Sequence, residues 1–245
     1  MSYAKVTVVI GAASGIGAAT ADVLEQAGHV VVRADVHAGD GIAPVDVTDE
    51  ASVAALFDAA VAEHGGFTGT VNCAGVSTMA PVVDHDAADF RRTIDVCLTG
   101  SFLVLKHAGK RVSDGGSLVT LTSLNARQPG AGLSAYCAAK AGVVMLTEVT
   151  ALELAPRRIR VNAVAPGLVV TPLTSHAMQI PGVRDEYVEN TPLGRTGEPA
   201  EIGAAIRYLL SDDASWITGE NLDINGGAHL QRYPDLPGRV AGARG

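Results

Sequence analysis

The chain has 245 residues, a formal net charge of −8, and 47% hydrophobic residues but only 4% aromatic ones. This length accommodates one large or two small domains with a full core, and the acidic balance excludes a general binder of nucleic acid or anionic membranes. Cys73, Cys97 and Cys137 show no metal-ligand spacing and the seven histidines form no paired arrangement. No metal site is therefore expected, and the odd thiol count fits a reducing compartment. The opening MSYAKVTVVIG lacks a signal-peptide layout, and no uninterrupted apolar run approaches the ~18 residues of a bilayer span. A cytoplasmic protein with no membrane or nucleic-acid partner is the expectation.

In chain order, KVTVVIG (5–11) reads as a strand, followed by a helix over 15–27. HVVVRAD (29–35) is a second strand, with a short third near IAPVDV (42–47) and a helix over 51–64. GTVNCAG (69–75) leads to a long helix over 87–111, and GSLVTLTS (116–123) to a helix over 134–154. IRVNAVAPG (159–167) and ENLDING (220–226) complete the strands. This repeated β-α order, with 28 glycines for tight turns, predicts an α/β fold. Its form is a Rossmann-like, doubly wound parallel sheet of about seven strands with helices on both faces. No linker or shift in composition divides residues 1–245, so a single domain is expected, with 228–245 as a polar, proline-containing tail.

Such sheets bind ligands at the C-terminal ends of their strands, and the chemically informative residues fall there. Gly11-Ala-Ala-Ser-Gly15-Ile-Gly17 joins the first strand to the first helix. Small residues there let backbone approach a pyrophosphate, and the helix N-terminus favours its charge. Asp35 ends the second strand, where a carboxylate can accept from an adenosine ribose and repel a 2′-phosphate. No basic residue stands at Ser14 or Val36 to neutralise that phosphate. Arg33 shares a strand face with Asp35 and is a candidate to pair with it.

Tyr136 and Lys140 stand four apart on a predicted helix and so share a face. An ammonium ~4 Å from a phenol at an effective dielectric near 20 contributes about 4 kcal/mol, roughly three pKa units. That predicts a phenol able to give and take a proton near neutral pH. Ser123, thirteen residues earlier, can hold a substrate oxygen.

These motifs, with Asp46-Val47, Asn72-Cys-Ala-Gly75, Pro166-Gly-x-x-x-Thr171 and the late block GRTGEPAEIGAAIRYLLSDDASWITGENLDINGG, resemble the short-chain dehydrogenase/reductase family from about residue 6 to 227. The resemblance implies a nicotinamide-dependent enzyme acting on an alcohol or ketone, often as a homotetramer. It implies that Gly11, Ser14, Gly15, Ile16 and Gly17 hold the pyrophosphate side of the cofactor and that Asp46 and Val47 flank the adenine. Asn72, Ala74 and Gly75 would line the floor, and Pro166, Gly167, Val169 and Thr171 would position the carboxamide. Tyr136 would exchange the proton, Ser123 would hold the substrate oxygen, and Lys140 would bond the ribose and lower the phenol pKa. Two positions depart from the family pattern. Ile10 precedes Gly11 where a Thr is usual, and Cys97 stands where the family has the Asn that completes its catalytic set and helps hold a water beside Lys.

Asp35 points to NAD as cofactor. Substrate choice is expected in segments 76–82, 125–133 and 168–183. The last of these, with Leu168, Leu173, Met178 and Ile180, reads as a lid over an apolar pocket suited to a cyclic or otherwise apolar secondary alcohol. The shortened stretch between Asp35 and Asp46 and the late tail resemble some hydroxysteroid dehydrogenases of the family. The tail is expected to cross a subunit boundary and cover a neighbour's site. The alternatives are an NADPH-dependent acyl ketoreductase and a catalytically silent nucleotide-binding protein.

Overall fold

A computed structural model describes residues 5–242. Its seven strands are β1 (Val6–Ile10), β2 (Val30–Asp35), β3 (Ala43–Pro44), β4 (Gly69–Asn72), β5 (Ser117–Leu121), β6 (Arg160–Pro166) and β7 (Asn221–Ile224). They form one parallel sheet in the order β3-β2-β1-β4-β5-β6-β7. The direction of winding reverses between β1 and β4, whose last residues pair as Ile10 with Asn72. Chain leaving these two strands diverges to opposite sides and opens a crevice at their C-terminal ends.

Both faces of the sheet are covered, so the central strands are apolar without a break. Alternate residues still go to different layers, because the side-chain period is two. Val8, Ile10, Leu118 and Val161 face one core layer with Phe57 and Leu105. Val9, Val71, Val119 and Val164 face the other with Leu24 and Ile206. The first layer is supplied by α2 (Glu50–His64), α4 (Gly100–Arg111) and α5 (Ser134–Leu154), and the second by α1 (Gly15–Gln26) and α8 (Pro199–Leu210). Helix α2 has clear stop signals: the Asp49 carboxylate accepts from Ala51 N at its start, and Gly65 closes it at φ 75°.

Two elements differ from the sequence expectation. The helix over 87–111 is not uniform. It runs as α3 (Ala87–Ile94), a π-helical stretch over Asp95–Thr99 centred on Cys97, and then α4. Gly100 N donates to Asp95 O, five residues back, so the helix is locally widened and underwound, with an extra residue in the turn. Helix α5, with its continuation to Arg157, is long and apolar enough to cross a bilayer by length and composition alone, although polar residues interrupt it. It lies along β6 and α4 and buries Ala139, Lys140, Val143, Thr147 and Ala151.

The short helices α6 (Pro172–Met178) and α7 (Val183–Glu189) occupy the segment read as a lid. The tail is folded: a 3-10 turn over Ala228–Leu230 leads to α9 (Leu236–Gly242). Its described residues pack on their own chain. Leu236 packs with Leu133 and Val183 of the same molecule, and residues 243–245 lie outside the described part. Glu186 on α7 fastens the tail there: its buried carboxylate accepts from Arg232 Nη1 (2.8 Å), Asp235 N (3.0 Å) and Arg239 Nε (2.5 Å).

Candidate active site

The crevice is a cleft of ≈ 550 Å³. Gly11, Ser14, Gly15, Ile16 and Gly17 form one wall, Asp35, Asp46 and Val47 one end, and Ala74 and Gly75 the centre. Ser123, Tyr136, Lys140, Pro166, Gly167, Val169 and Thr171 line the other end. The glycines have steric causes. Gly11 is left-handed at φ 81°, with its missing Cβ 2.9 Å from the Cys73 carbonyl carbon, and a Cβ on Gly17 would stand 2.0 Å from Gly11 O. The backbone thus folds on itself too tightly for any side chain. Helix α1 begins here without a side-chain cap from Ser14 and without an acidic residue in its first turn. Its free amides and positive dipole end are left for an anion, which fits the pyrophosphate of a dinucleotide.

Asp35 is buried at the lip, where its Oδ2 accepts from Ala13 N (3.0 Å) and its Oδ1 from His37 N (2.9 Å). These bonds aim the carboxylate into the cleft with lone pairs to spare. Arg33 does not pair with it: the guanidinium turns to Asp22 (2.6 Å) and Glu25 (2.8 Å) on α1. Asp46 serves the turn itself, accepting from Thr48 N and Oγ1, which holds its carboxyl below the usual value. Asn72 stands behind the cleft wall and is not part of it. Its Oδ1 accepts from Ala74 N (3.2 Å) and its amide donates to Ser101 Oγ (3.2 Å), fixing the chain as it leaves β4.

At the far end, Ser123 follows β5, and Tyr136 and Lys140 lie on the first turns of α5. Asn125 N donates to Ser123 Oγ (3.1 Å), which leaves the Ser123 proton free for Tyr136 or a substrate oxygen. Lys140 is 3% exposed. Its Nζ donates to Leu121 O at 2.6 Å and lies 5.6 Å from the Tyr136 ring centroid. The expected depression of the phenol pKa is absent in this arrangement. Burial pushes Tyr136 above its ordinary value, the neighbouring Cys97 adds to the rise, and only the Ser123 hydroxyl opposes them. Burial likewise lowers Lys140. The lysine is anchored to the strand end rather than aimed at the phenol, so desolvation dominates.

Cys97 is buried beneath the cleft wall. Its thiol donates to Val76 O (3.2 Å) and accepts from Val76 N (3.4 Å). This two-way clasp holds the loop after β4 over Gly75, where an added Cβ would lie 3.8 Å from both Cys97 Sγ and Lys140 Nζ. The Cys97 carbonyl accepts from Ser101 Oγ at 2.7 Å. The π-helical distortion is therefore present without an asparagine.

Beside Tyr136 lies a small apolar cluster built on Leu133, Val183 and Leu236, against which Cys137, Met178, Ile180, Tyr187 and Tyr233 pack. Leu173 lines the cleft directly. Sequence reading missed Arg92 and Val96 on the cleft wall, although their i, i+4 spacing just before Cys97 is a helical-face signal. It also missed His37, and Tyr233 of the tail, for which no local pattern exists.

The ordering of loop, carboxylate, Ser, Tyr and Lys along one cleft agrees with comparison to known proteins. The family profile described as enoyl-(acyl carrier protein) reductase (adh_short_C2) matches residues 11–229. The cis-4-hydroxycyclohexanecarboxylate dehydrogenase of Sinomonas cyclohexanicum is 43% identical over 241 residues, covering 91% of this chain and 96% of that protein. The chain is a short-chain dehydrogenase/reductase. Within this family it is also similar to 3beta-hydroxysteroid dehydrogenase 1 of Eggerthella lenta, at 37% identity over 94% of this chain and 95% of the relative. A short-chain dehydrogenase/reductase of Mycobacterium ulcerans has the same fold, with a TM-score of 0.91 and 32% identity over 100% of this chain and 99% of that one. Short-chain dehydrogenases of this kind are oxidoreductases that use nicotinamide cofactors, and the uncapped helix and tight glycine cradle fit one here.

Proposed function

We propose that this enzyme is an NAD-dependent dehydrogenase of secondary alcohols carried on an apolar ring. The observation that carries the cofactor choice is Asp35, a carboxylate aimed into the cleft by two backbone donors while Arg33 is held away from it. A 2′-phosphate would face that charge, and the Arg33 guanidinium is already committed to α1. Gly11, Ser14, Gly15, Ile16 and Gly17 bind the pyrophosphate, Asp35 the ribose hydroxyls, and Asp46 and Val47 the adenine. Ala74, Gly75, Pro166, Gly167, Val169 and Thr171 position the nicotinamide end, with Asn72 and Cys97 supporting the floor. The bound nicotinamide supplies the hydride acceptor.

The chain's own residues manage the proton. Ser123 donates to the substrate oxygen, Tyr136 takes the hydroxyl proton during oxidation and returns it during reduction, and Lys140, anchored on Leu121 O, bonds the ribose. The apolar cluster with Met178 and Ile180 supports a ring-shaped substrate, as do the ring substrates named for the relatives. A row of exposed apolar residues along α5, Met145, Val149 and Leu152, with Phe102 on α4, supports assembly with further copies of this chain, a tetramer in the family's usual form.

Following NADH absorbance with cyclohexanol and steroid alcohols tests the reading. NAD should be preferred over NADP by about a hundredfold in kcat/KM, the scale of one carboxylate charge facing a 2′-phosphate. Preference for NADPH would favour the ketoreductase alternative, and NADH binding with no turnover would favour a silent nucleotide-binding protein.

A further inference from the structure

Helix α3 and the π-helical stretch after it turn two different faces to their surroundings. Thr93 and Cys97, four residues apart, meet the loop after β4: Thr93 Oγ1 lies 3.2 Å from Thr78 Oγ1, and the Cys97 thiol clasps Val76. Arg92 and Val96 form the neighbouring stripe, and both line the cleft. That stripe leads on to Gly100, which abuts Val47 so closely that an added Cβ would stand 2.8 Å from Val47 Cγ2. Arg92 therefore overlooks the half of the cleft that holds Asp35, Asp46 and Val47. It stands on the β4 side of the crevice, and the glycine loop follows β1 on the other. Arg92 is exposed and has no ion-pair partner among the described residues, although Asp89 and Asp95 stand three positions to either side. Among the described residues it is the one guanidinium on the cleft wall. Lys140, also on that wall, is committed to Leu121 O.

We propose that Arg92 is a cofactor-binding residue: its guanidinium holds the pyrophosphate of the dinucleotide from the β4 side of the crevice, facing the glycine loop. This rests on the dinucleotide reading above. A pyrophosphate brings two negative charges into a cleft already lined by the carboxylates of Asp35 and Asp46. The N-terminus of α1 offsets about half an elementary charge, and the glycine cradle adds amides but no cation. A guanidinium supplies the missing charge, with paired donors that match phosphate oxygens. With Asp35 at the ribose, the pyrophosphate is the anion that a dinucleotide lacking a 2′-phosphate presents to Arg92.

The test measures Kd for NADH, NADPH and ADP-ribose by calorimetry in the wild type, Arg92→Gln, Arg92→Lys and Arg91→Gln. Arg91 is exposed and does not line the cleft, so its exchange removes the same charge from the same helix away from the ligand. Arg92→Gln should weaken all three ligands by a common factor of roughly ten, the scale of one charge-assisted hydrogen bond. Added salt should narrow that gap. Arg92→Lys should recover most of the loss, and Arg91→Gln should show none of it. ADP-ribose lacks nicotinamide, so an equal loss there puts the contact on the part that all three ligands share. Unchanged affinities in Arg92→Gln would overturn the proposal. So would a loss confined to NADPH, which assigns Arg92 to a 2′-phosphate, or a loss as large in Arg92→Lys, which assigns it to stacking on the adenine. A raised KM for 4-hydroxycyclohexanecarboxylate with dinucleotide affinities intact would move Arg92 to the substrate and equally overturn it. If the wild type binds none of the three ligands, the dinucleotide reading falls as well. If it binds them and Arg92→Gln changes nothing, this proposal alone falls.

Discussion

At the residue scale, the balance between burial and charge at Tyr136 sets the pH behaviour. In the role proposed for Tyr136, alcohol oxidation needs the phenolate and ketone reduction needs the phenol. Burial raises the Tyr136 pKa here, and the nearest opposing group is a neutral hydroxyl. Oxidation rates, as kcat/KM, should therefore climb with pH through the alkaline range, while reduction stays flat across neutrality. A plateau in oxidation already reached at pH 8 would mean that the Lys140 charge outweighs desolvation. Tyr136→Phe should lower kcat by about 10²–10⁴-fold, the usual contribution of a positioned acid-base group, with NADH binding retained in a fluorescence titration. Cys97→Asn is the informative exchange at the departure from the family pattern. Because the thiol already donates to and accepts from Val76, the variant should change kcat by less than about tenfold, below the ~10²–10⁴-fold of a positioned acid-base group. A gain of several hundredfold would show that the proton relay past Lys140 is broken in this chain.

Elements explain why these residues are where they are. The glycine loop works only as backbone: Gly17→Ala would place a methyl 2.0 Å from Gly11 O. We expect it to cost at least about 1–3 kcal/mol, the overpacking range, and to abolish NADH binding, both readable in a melting experiment with and without cofactor. The tail depends on Glu186. Three donors hold its carboxyl down at about 2. A depressed acid stabilises the fold above its unfolded pKa of about 4.3 and loses that contribution as the pH falls toward about 2. Tail docking should thus be constant from pH 5 to 8 and fail only in strong acid. Glu186→Gln should loosen it at neutral pH by about 1–2 kcal/mol, modest because the two arginines are half exposed. Limited proteolysis within 228–242, with an accompanying rise in KM, would report the loss. Unaltered cleavage and KM would show that Leu236 alone holds the tail.

For the whole molecule, the unpartnered surface of α5 is the feature to test. Leu152 is 78% and Met145 58% exposed, on one face with Val149. Leu152→Arg should split the proposed tetramer into smaller species in sedimentation without unfolding the chain. An unchanged mass would place the subunit contacts elsewhere. The described tail packs on its own chain through Leu236 and Glu186, so dissociation alone should leave Tyr233 in place.

Much of this was legible in the sequence because it is set by local or strictly periodic constraints. Unbroken apolar runs separated by helical stretches specify a parallel sheet covered on both faces, and the glycine loop, Asp35 and the Tyr136–Lys140 spacing lie at strand ends or on a single helical face. Local and periodic constraints of this kind put the glycine loop, Asp35, Tyr136 and Lys140 along one cleft. What only the tertiary structure decided depends on competition between groups far apart in the chain. Arg33 had Asp22 and Glu25 on α1 to choose over Asp35, and Lys140 found the Leu121 carbonyl. Asn72 was drawn behind the wall by Ser101. The tail was captured by Glu186, which set Tyr233 against Asn125 across 108 positions of sequence. No local pattern encodes such pairings, because each is settled by which partner the packed fold brings within hydrogen-bonding distance.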